Sequence, residues 1–345
     1  MIRRVTAELA EIAEKDSFLR VLRLLFVVVV LASVPVRASA QDSHLLVITG
    51  VGGDDEHTKT FHKLATAMID AAKKKDGLAD GNIIYLSEKP ELDPKRDNVH
   101  RGKSTRENVQ KAFADLAARA RPNDAVFIIL LGHGSFDGRQ AGFNLPGPDL
   151  TPADFATLLG KLATQRVAFV NTSSSSGAFL PTVAGPGRVI VTATKTGGER
   201  NEPRFAEYFV EAFTDETADR DRNGRVSIAE AFEYAKARVT KVYEQEGHIL
   251  TEHAALDEGA GGTGLAASLF LAPPQGTARI DTSDPALRAL VEQRDAIERE
   301  IAALRLMKPS MEEAKYDAQM EKLLTSLALK TKEIRDRQAK KDEHP

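Results

Sequence analysis

The segment DAVFIILLGHGS, residues 124–135, is the strongest indication of the fold in this sequence. Its run from residue 125 to residue 131 contains no polar side chain and is followed by Gly-His-Gly. Such a run, bounded by glycine, is typical of a strand that is buried on both faces of a parallel sheet. The glycines beside His133 let the chain turn sharply and approach a ligand closely, so His133 and Gly134 are candidate site residues.

Further strands of this kind alternate with helical segments along the chain. Ser104 with Glu107 predicts a capping box, and Thr151 followed by Pro152 predicts another helix start. We therefore predict an α/β fold in three layers, with a mostly parallel sheet between helices and ligands beyond the carboxyl ends of its strands. The predicted strands are 44–53, 81–88, 166–177 and 187–197, the helices are 54–75, 104–120, 151–163 and 202–216, and residues 89–102 are a polar loop.

The first forty residues have the pattern of a secretory signal peptide. Arg20 and Arg23 precede an apolar run over 24–34, and Ala38-Ser39-Ala40 has the small-x-small form of a cleavage site. The run is shorter than the roughly 20 residues that span a bilayer. We expect cleavage after Ala40, export to the periplasm or beyond, and no membrane association afterwards; an uncleaved membrane anchor is the alternative.

Composition excludes several kinds of function. Cysteine is absent, so neither a disulfide nor a thiol nucleophile is possible. The net charge is −3 and tryptophan is absent, which argues against a nucleic-acid partner. No motif for an organic cofactor is evident.

A serine run follows the fourth predicted strand, in VAFVNTSSSSGAF at 167–179. Ser174 comes 41 residues after His133, a separation that suits a crossover between neighbouring parallel strands. We expect the imidazole and the hydroxyl to meet at one edge of the sheet, with the Gly134 amide nearby as an oxyanion donor. Asp137 is the local carboxylate that could orient the imidazole, and it equally suits a turn.

Four segments together resemble the legumain-type (C13) cysteine peptidases of clan CD, which have the caspase-like fold. They are DAVFIILLGHGS at 124–135, LPGPDLTPADF at 145–155, VAFVNTSSSSGAF at 167–179 and RVIVTATKTGGERN at 188–201, and the resemblance extends over about 44–260. It implies that His133 is the catalytic histidine, that Gly134 is the oxyanion glycine and that Ser174, or Ser173, stands where the family has cysteine. It also implies that Glu199 and Arg200 border the substrate pocket. Lys195, in the same loop, is expected to be exposed to solvent.

Three interpretations of this site remain open. A serine hydroxyl needs an oriented base to remove its proton, whereas a cysteine thiolate is intrinsically nucleophilic. The first interpretation is a non-catalytic peptidase homologue that binds peptides or proteins. The second is a hydrolase that uses Ser174 with His133, and the third is a calcium-stabilised structural module without chemistry.

DRDRNGRVSIAE, residues 219–230, matches the twelve-residue EF-hand loop and predicts a Ca²⁺ site between two helices. Ser227 with Glu230 is equally explained as a capping box for the helix that follows. The arginines within the loop are expected to lower its affinity for a cation. The residues in ligand positions are Asp219, Asp221, Asn223, Arg225 (through its backbone carbonyl), Ser227 and Glu230.

Residues 276–345 predict a helical hairpin or short coiled coil appended to the core domain, 41–275. Asp284 caps the first helix and Pro285 opens it, while Ser310 with Glu313 caps the second. Both helices carry partial apolar stripes. The stripes predict either an antiparallel pair that packs on itself or an interface for a homodimer or another partner.

Overall fold

A computed structural model describes most of the chain. The described residues are 42–75, 77–93, 99–122, 124–220, 222, 224–259, 264–271, 284–307 and 311–342. The predicted signal peptide and its cleavage site lie outside them, so export remains a prediction. None of the described helices combines the length and the apolar character needed to cross a membrane.

A seven-stranded sheet forms the centre of the molecule, in the order β3-β2-β1-β4-β7-β8-β9. All neighbouring strands are parallel except β8 and β9, which are antiparallel. A two-stranded hairpin, β5–β6, stands apart from this sheet. The strands are β1 Ser43–Thr49, β2 Ile83–Ser87, β3 His100–Lys103, β4 Ala125–Leu131, β5 Gly134–Phe136, β6 Ala141–Phe143, β7 Arg166–Asn171, β8 Arg188–Thr192 and β9 Ala255–Asp257.

Helices cover both faces of the sheet. They are α1 Asp55–Lys74, α2 Arg106–Arg119, α3 Pro152–Gly160, α4 Leu180–Val183, α5 Phe205–Ala212, α6 Ile228–Glu246, α7 Leu265–Ser268, α8 Pro285–Met307 and α9 Glu313–Asp342. Alternate residues of β1 enter two different cores: Leu45 packs in the cluster that contains Phe209 of α5, and Leu46 in the one that contains Phe155 of α3. The predicted three-layer α/β fold with a mostly parallel sheet is confirmed.

Capping geometry bears out one predicted helix start and corrects another. The Thr151 hydroxyl accepts a hydrogen bond from the Asp154 amide, and the Asp154 carboxylate accepts one from the Thr151 amide, which completes a capping box at α3. Arg106 on α2 also binds Asp154, and this pairing lowers the pKa of the carboxyl to about 2. At α2 the cap is Thr105 rather than Ser104, because the Thr105 hydroxyl accepts from the Asn108 amide while Ser104 is fully buried.

The predicted polar loop at 89–102 is wrong at its end, where β3 pairs with β2. This edge strand is short and mostly exposed, so its side chains need not be apolar. Sequence reasoning also missed β9 and the two strands of the β5–β6 hairpin. Each of these strands has only three residues. Strands this short carry too few alternating positions to show a pattern.

The two long C-terminal helices form an antiparallel pair. Asp284, before α8, caps that helix through the Ala286 amide and pairs with Arg337 near the end of α9 at 2.6 Å. Leu287 and Ile334 pack together in the same region and are almost fully buried. The self-packed hairpin is therefore present; a homodimer remains a prediction, and the predicted cap Ser310 lies outside the described residues.

Candidate functional site

The candidate site lies at the carboxyl ends of β4 and β7, which are parallel neighbours. Leu130 of β4 is opposite Asn171 of β7, so the segments that follow both strands leave the sheet at the same edge. Gly134 and Ser174 consequently meet there. A Cβ atom on Gly134 would lie 2.2 Å from the Ser174 carbonyl oxygen, so this approach is open only to glycine.

The Ser174 hydroxyl is held by the backbone of Gly134. It donates a hydrogen bond to the Gly134 carbonyl oxygen at 3.0 Å and accepts one from the Gly134 amide at 3.3 Å. The residue is 6% exposed. Two consequences follow for chemistry at this position: the hydroxyl proton points to a carbonyl, and the amide expected to stabilise an oxyanion is already engaged.

The side chains of the other serines in the loop are hydrogen-bonded or buried. Ser173 donates to the Asn171 side chain at 2.7 Å, and Ser176 exchanges hydrogen bonds with Thr194 in the next strand connection. Ser175 adopts a left-handed conformation with φ of 57° and its hydroxyl is buried, with no hydrogen-bond partner among the described residues. The run therefore forms a packed turn between β7 and β8.

The His133 imidazole is oriented by groups other than the serine loop. Its Nε2 lies 3.2 Å from the Gly52 carbonyl oxygen, beyond β1. Its ring makes edge contacts with Phe61 and His57, with centroid distances of 5.1 and 5.0 Å. Within the described part of the chain, no hydrogen bond joins this imidazole to Ser173 or Ser174.

Asp137 does not contact the imidazole either. Its Oδ1 accepts from the amides of Arg139 and Gln140, at 2.8 and 2.7 Å, in the turn of the β5–β6 hairpin. These backbone hydrogen bonds lower the pKa of the carboxyl, with a smaller contribution from Arg200. Asp137 is therefore a turn residue of the hairpin, which is the second of the two roles predicted for it.

A histidine that the sequence reasoning missed lies next to His133. His57, in the first turn of α1, places Nδ1 2.7 Å from the helix-capping Asp54 carboxylate and Nε2 2.9 Å from Glu202. Hydrogen bonds from the imidazole to the Asp54 and Glu202 carboxylates raise the pKa of His57. The local signal was the DDEH motif directly after the first strand, but nothing in the sequence indicates that Glu202 is its partner.

Glu199 and Arg200 have different roles in the loop after β8. Glu199 accepts from the amides of Lys195 and His253, at 3.2 and 2.9 Å, so its carboxylate braces this loop. The Arg200 side chain is exposed, with its guanidinium 6.0 Å from the centroid of the Phe136 ring. Arg200 is thus the residue of the two that remains open to a ligand. Lys195 is exposed, as expected.

The EF-hand-like loop is closed by hydrogen bonds at both ends. Asp219 accepts from the Gly224 amide at 2.8 Å, and Glu230 forms the capping box of α6 with Ser227. Arg225 is buried, with its guanidinium 3.1 Å from Glu298 of α8 and 3.8 Å from the centroid of the Phe270 ring. The helix predicted before the loop is present as α5, which ends at Ala212, and a short 3₁₀ helix at Glu216–Ala218 lies between α5 and the loop. Asp221 and Asn223 lie outside the described residues, and Ca²⁺ binding remains a prediction.

Comparisons with known proteins found distant similarity to solved structures. No family model and no curated protein matches the chain. The crystal structure of protein GSU0716 from Geobacter sulfurreducens is 14% identical over 63% of this chain and 92% of its own, with a TM-score of 0.39. That of drICE, a caspase, is 8% identical over 65% of this chain and 90% of its own, with a TM-score of 0.39. Neither similarity assigns an activity, and the resemblance to legumain-type peptidases stays a hypothesis.

Proposed function

We propose that this chain is a non-catalytic homologue of caspase-like peptidases, which binds peptides or protein partners at the edge of the sheet that carries His133 and Gly134. The observation that carries the proposal is the hydrogen bond from the Ser174 hydroxyl to the Gly134 carbonyl oxygen. A serine nucleophile must lose its proton as it attacks, and a backbone carbonyl is not a base that can take it.

The surroundings of the imidazole support the same conclusion. A base for serine is held in place by a third group, usually a carboxylate on its far nitrogen. The partner of His133 at this site is the Gly52 carbonyl, and the nearby Asp137 is occupied by its own turn. An imidazole oriented in this way is not aligned to deprotonate Ser174.

A fluorophosphonate probe tests the proposal directly, because it labels only activated serines. We expect wild-type protein to show no more labelling than the Ser174→Ala variant, with trypsin in the same assay as a positive control. Labelling of the wild type that disappears in Ser174→Ala would establish a hydrolase and overturn the proposal. Peptidase activity that appears in Ser174→Cys alone would support it, by showing that the nucleophile is the missing part.

The exposed Arg200 indicates which peptides this edge would prefer. The Arg200 guanidinium lies near the Phe136 ring of the hairpin. Phe136 also borders a cavity of about 310 Å³. Phe136, Ala141 and Ala178 give this cavity apolar walls. A cation beside a small, partly apolar cavity suits a peptide with an acidic side chain, since guanidinium groups bind carboxylates through paired hydrogen bonds.

Binding of labelled tetrapeptides would measure this preference. We expect peptides ending in Asp to bind about tenfold more tightly than matched peptides ending in Asn, which corresponds to ~1.4 kcal/mol. Arg200→Gln should remove the difference, whereas Lys111→Gln, at an exposed position on α2, should leave it intact. Equal affinities for the two peptides in wild-type protein would contradict the assignment of Arg200. Fluorescence anisotropy supplies the affinities.

A further inference from the structure

We propose that His57, His133 and Glu202 form a binding site for a divalent transition-metal ion such as Zn²⁺. Each of these residues offers one ligand atom, and the three atoms all lie within 4.8 Å of one another. They come from three separate parts of the chain: the first turn of α1, the segment after β4 and the segment before α5. The inference does not depend on whether Ser174 is catalytic.

The spacing of the three side chains is close to what a tetrahedral ion requires. Bonds of about 2.0–2.2 Å to nitrogen and oxygen place neighbouring ligand atoms roughly 3.3–3.5 Å apart. Nε2 of His57 is now 2.9 Å from Oε2 of Glu202, so an ion would push this pair slightly apart and draw His133 in. The Glu202 side chain is 47% exposed and is free to make such a shift.

The groups around the two imidazoles favour metal binding. Asp54 accepts from the His57 amide at 2.8 Å, which fixes its carboxylate against Nδ1 of the same residue. A carboxylate on Nδ1 holds a proton there, so an ion that displaces the Nε2 proton shared with Glu202 would take the lone pair of that nitrogen. The Phe61 ring packs against both imidazoles, at centroid distances of 6.2 Å to His57 and 5.1 Å to His133.

The donor set also indicates which ions would bind. Two neutral imidazoles and one carboxylate are typical ligands of Zn²⁺, whereas Ca²⁺ and Mg²⁺ prefer oxygen alone. Three protein ligands leave a fourth position for water or for a group of a bound peptide. The metal site is therefore distinct in chemistry and in position from the EF-hand-like loop at 219–230.

Titration of the full, tag-free chain with Zn²⁺ tests the inference, by calorimetry and by the visible absorption of Co²⁺ as a substitute. We expect one ion per chain, and a dissociation constant raised about tenfold or more in His57→Gln and in Glu202→Gln. Asp54→Asn should weaken binding in the same direction, because it removes the group that orients His57. His253→Gln is the matched control, since His253 pairs with Glu199 instead.

Two results would overturn the assignment. One is the absence of stoichiometric Zn²⁺ binding to folded wild-type protein. The other is a dissociation constant that none of His57→Gln, Glu202→Gln and Asp54→Asn changes relative to His253→Gln. Thermal unfolding in the presence of a chelator establishes that each variant is folded before it is titrated.

Discussion

Gly177→Ala is expected to lower the free energy of unfolding by about 3 kcal/mol. This is at the upper end of the destabilisation usually caused by adding atoms to a well-packed site. Gly177 closes the serine loop against the segment after β8. A Cβ atom there would lie 2.2 Å from the Lys195 carbonyl carbon and 2.4 Å from the Thr196 amide nitrogen. Both are backbone atoms, so a side-chain rotation cannot relieve the clash.

The surrounding hydrogen bonds explain why the backbone cannot yield easily. The Gly177 amide donates to the Thr194 hydroxyl at 2.8 Å, and the Ser175 amide donates to the Glu199 carbonyl at 2.8 Å. Separating the two segments would break these buried bonds. The expected loss of stability is therefore a direct measure of how tightly the serine loop is packed.

Urea denaturation followed by circular dichroism would measure the effect. Gly160→Ala is the matched control, because an added Cβ at that helical position meets no atom within 4 Å. Glycine inside a helix is about 0.5–1 kcal/mol less favourable than alanine, so the control should be neutral or slightly more stable than wild type. A Gly177→Ala variant as stable as Gly160→Ala would show that the packing described for this loop is wrong.

Glu252→Ala is expected to destabilise the fold by about 2 kcal/mol, because it leaves buried donors without a partner. The residue is 3% exposed, and its carboxylate accepts from the amides of Arg204 and Phe205 at 2.9 and 3.1 Å. These amides lie at the start of α5, where a helix cannot satisfy its own amides. The carboxylate thus caps α5 from outside the helix.

The same carboxylate predicts a dependence of stability on pH. Burial raises the pKa of Glu252, and its hydrogen bonds with backbone amides oppose the shift without cancelling it. Because the folded state holds this proton more firmly than the unfolded state, the contribution is most favourable below the ordinary pKa of 4.5. It declines as the pH rises through the folded pKa.

Glu252→Gln separates this contribution from all others, since glutamine has the same shape and does not titrate. The stability of the glutamine variant relative to wild type should improve as the pH is raised from 4 toward neutrality. Denaturant unfolding of both proteins at several pH values gives the comparison. Parallel curves for the two proteins would contradict the predicted direction.

The apolar patterns along the chain were enough to predict the central parallel strands and the edge at which two of their ends meet. Apolar runs such as 125–131 require burial on both faces, and parallel strands bring Gly134 and Ser174 to one edge. The caps at Thr151 and Asp284 were also readable, because each acts within a few residues of its own position. Such caps can be predicted from residue spacing because the two partners of each hydrogen bond lie within a few residues of each other.

Which atoms meet at that edge depends on packing between distant parts of the chain. The Ser174 hydroxyl binds a backbone carbonyl rather than an imidazole, and Glu202, one of the two carboxylate partners of His57, is 145 residues away from it. Even the choice between Ser104 and Thr105 as a cap depended on which of them the core buries. Hydrogen-bond partners follow from side-chain directions that distant elements fix by packing, and periodicity along one segment contains no information about those directions.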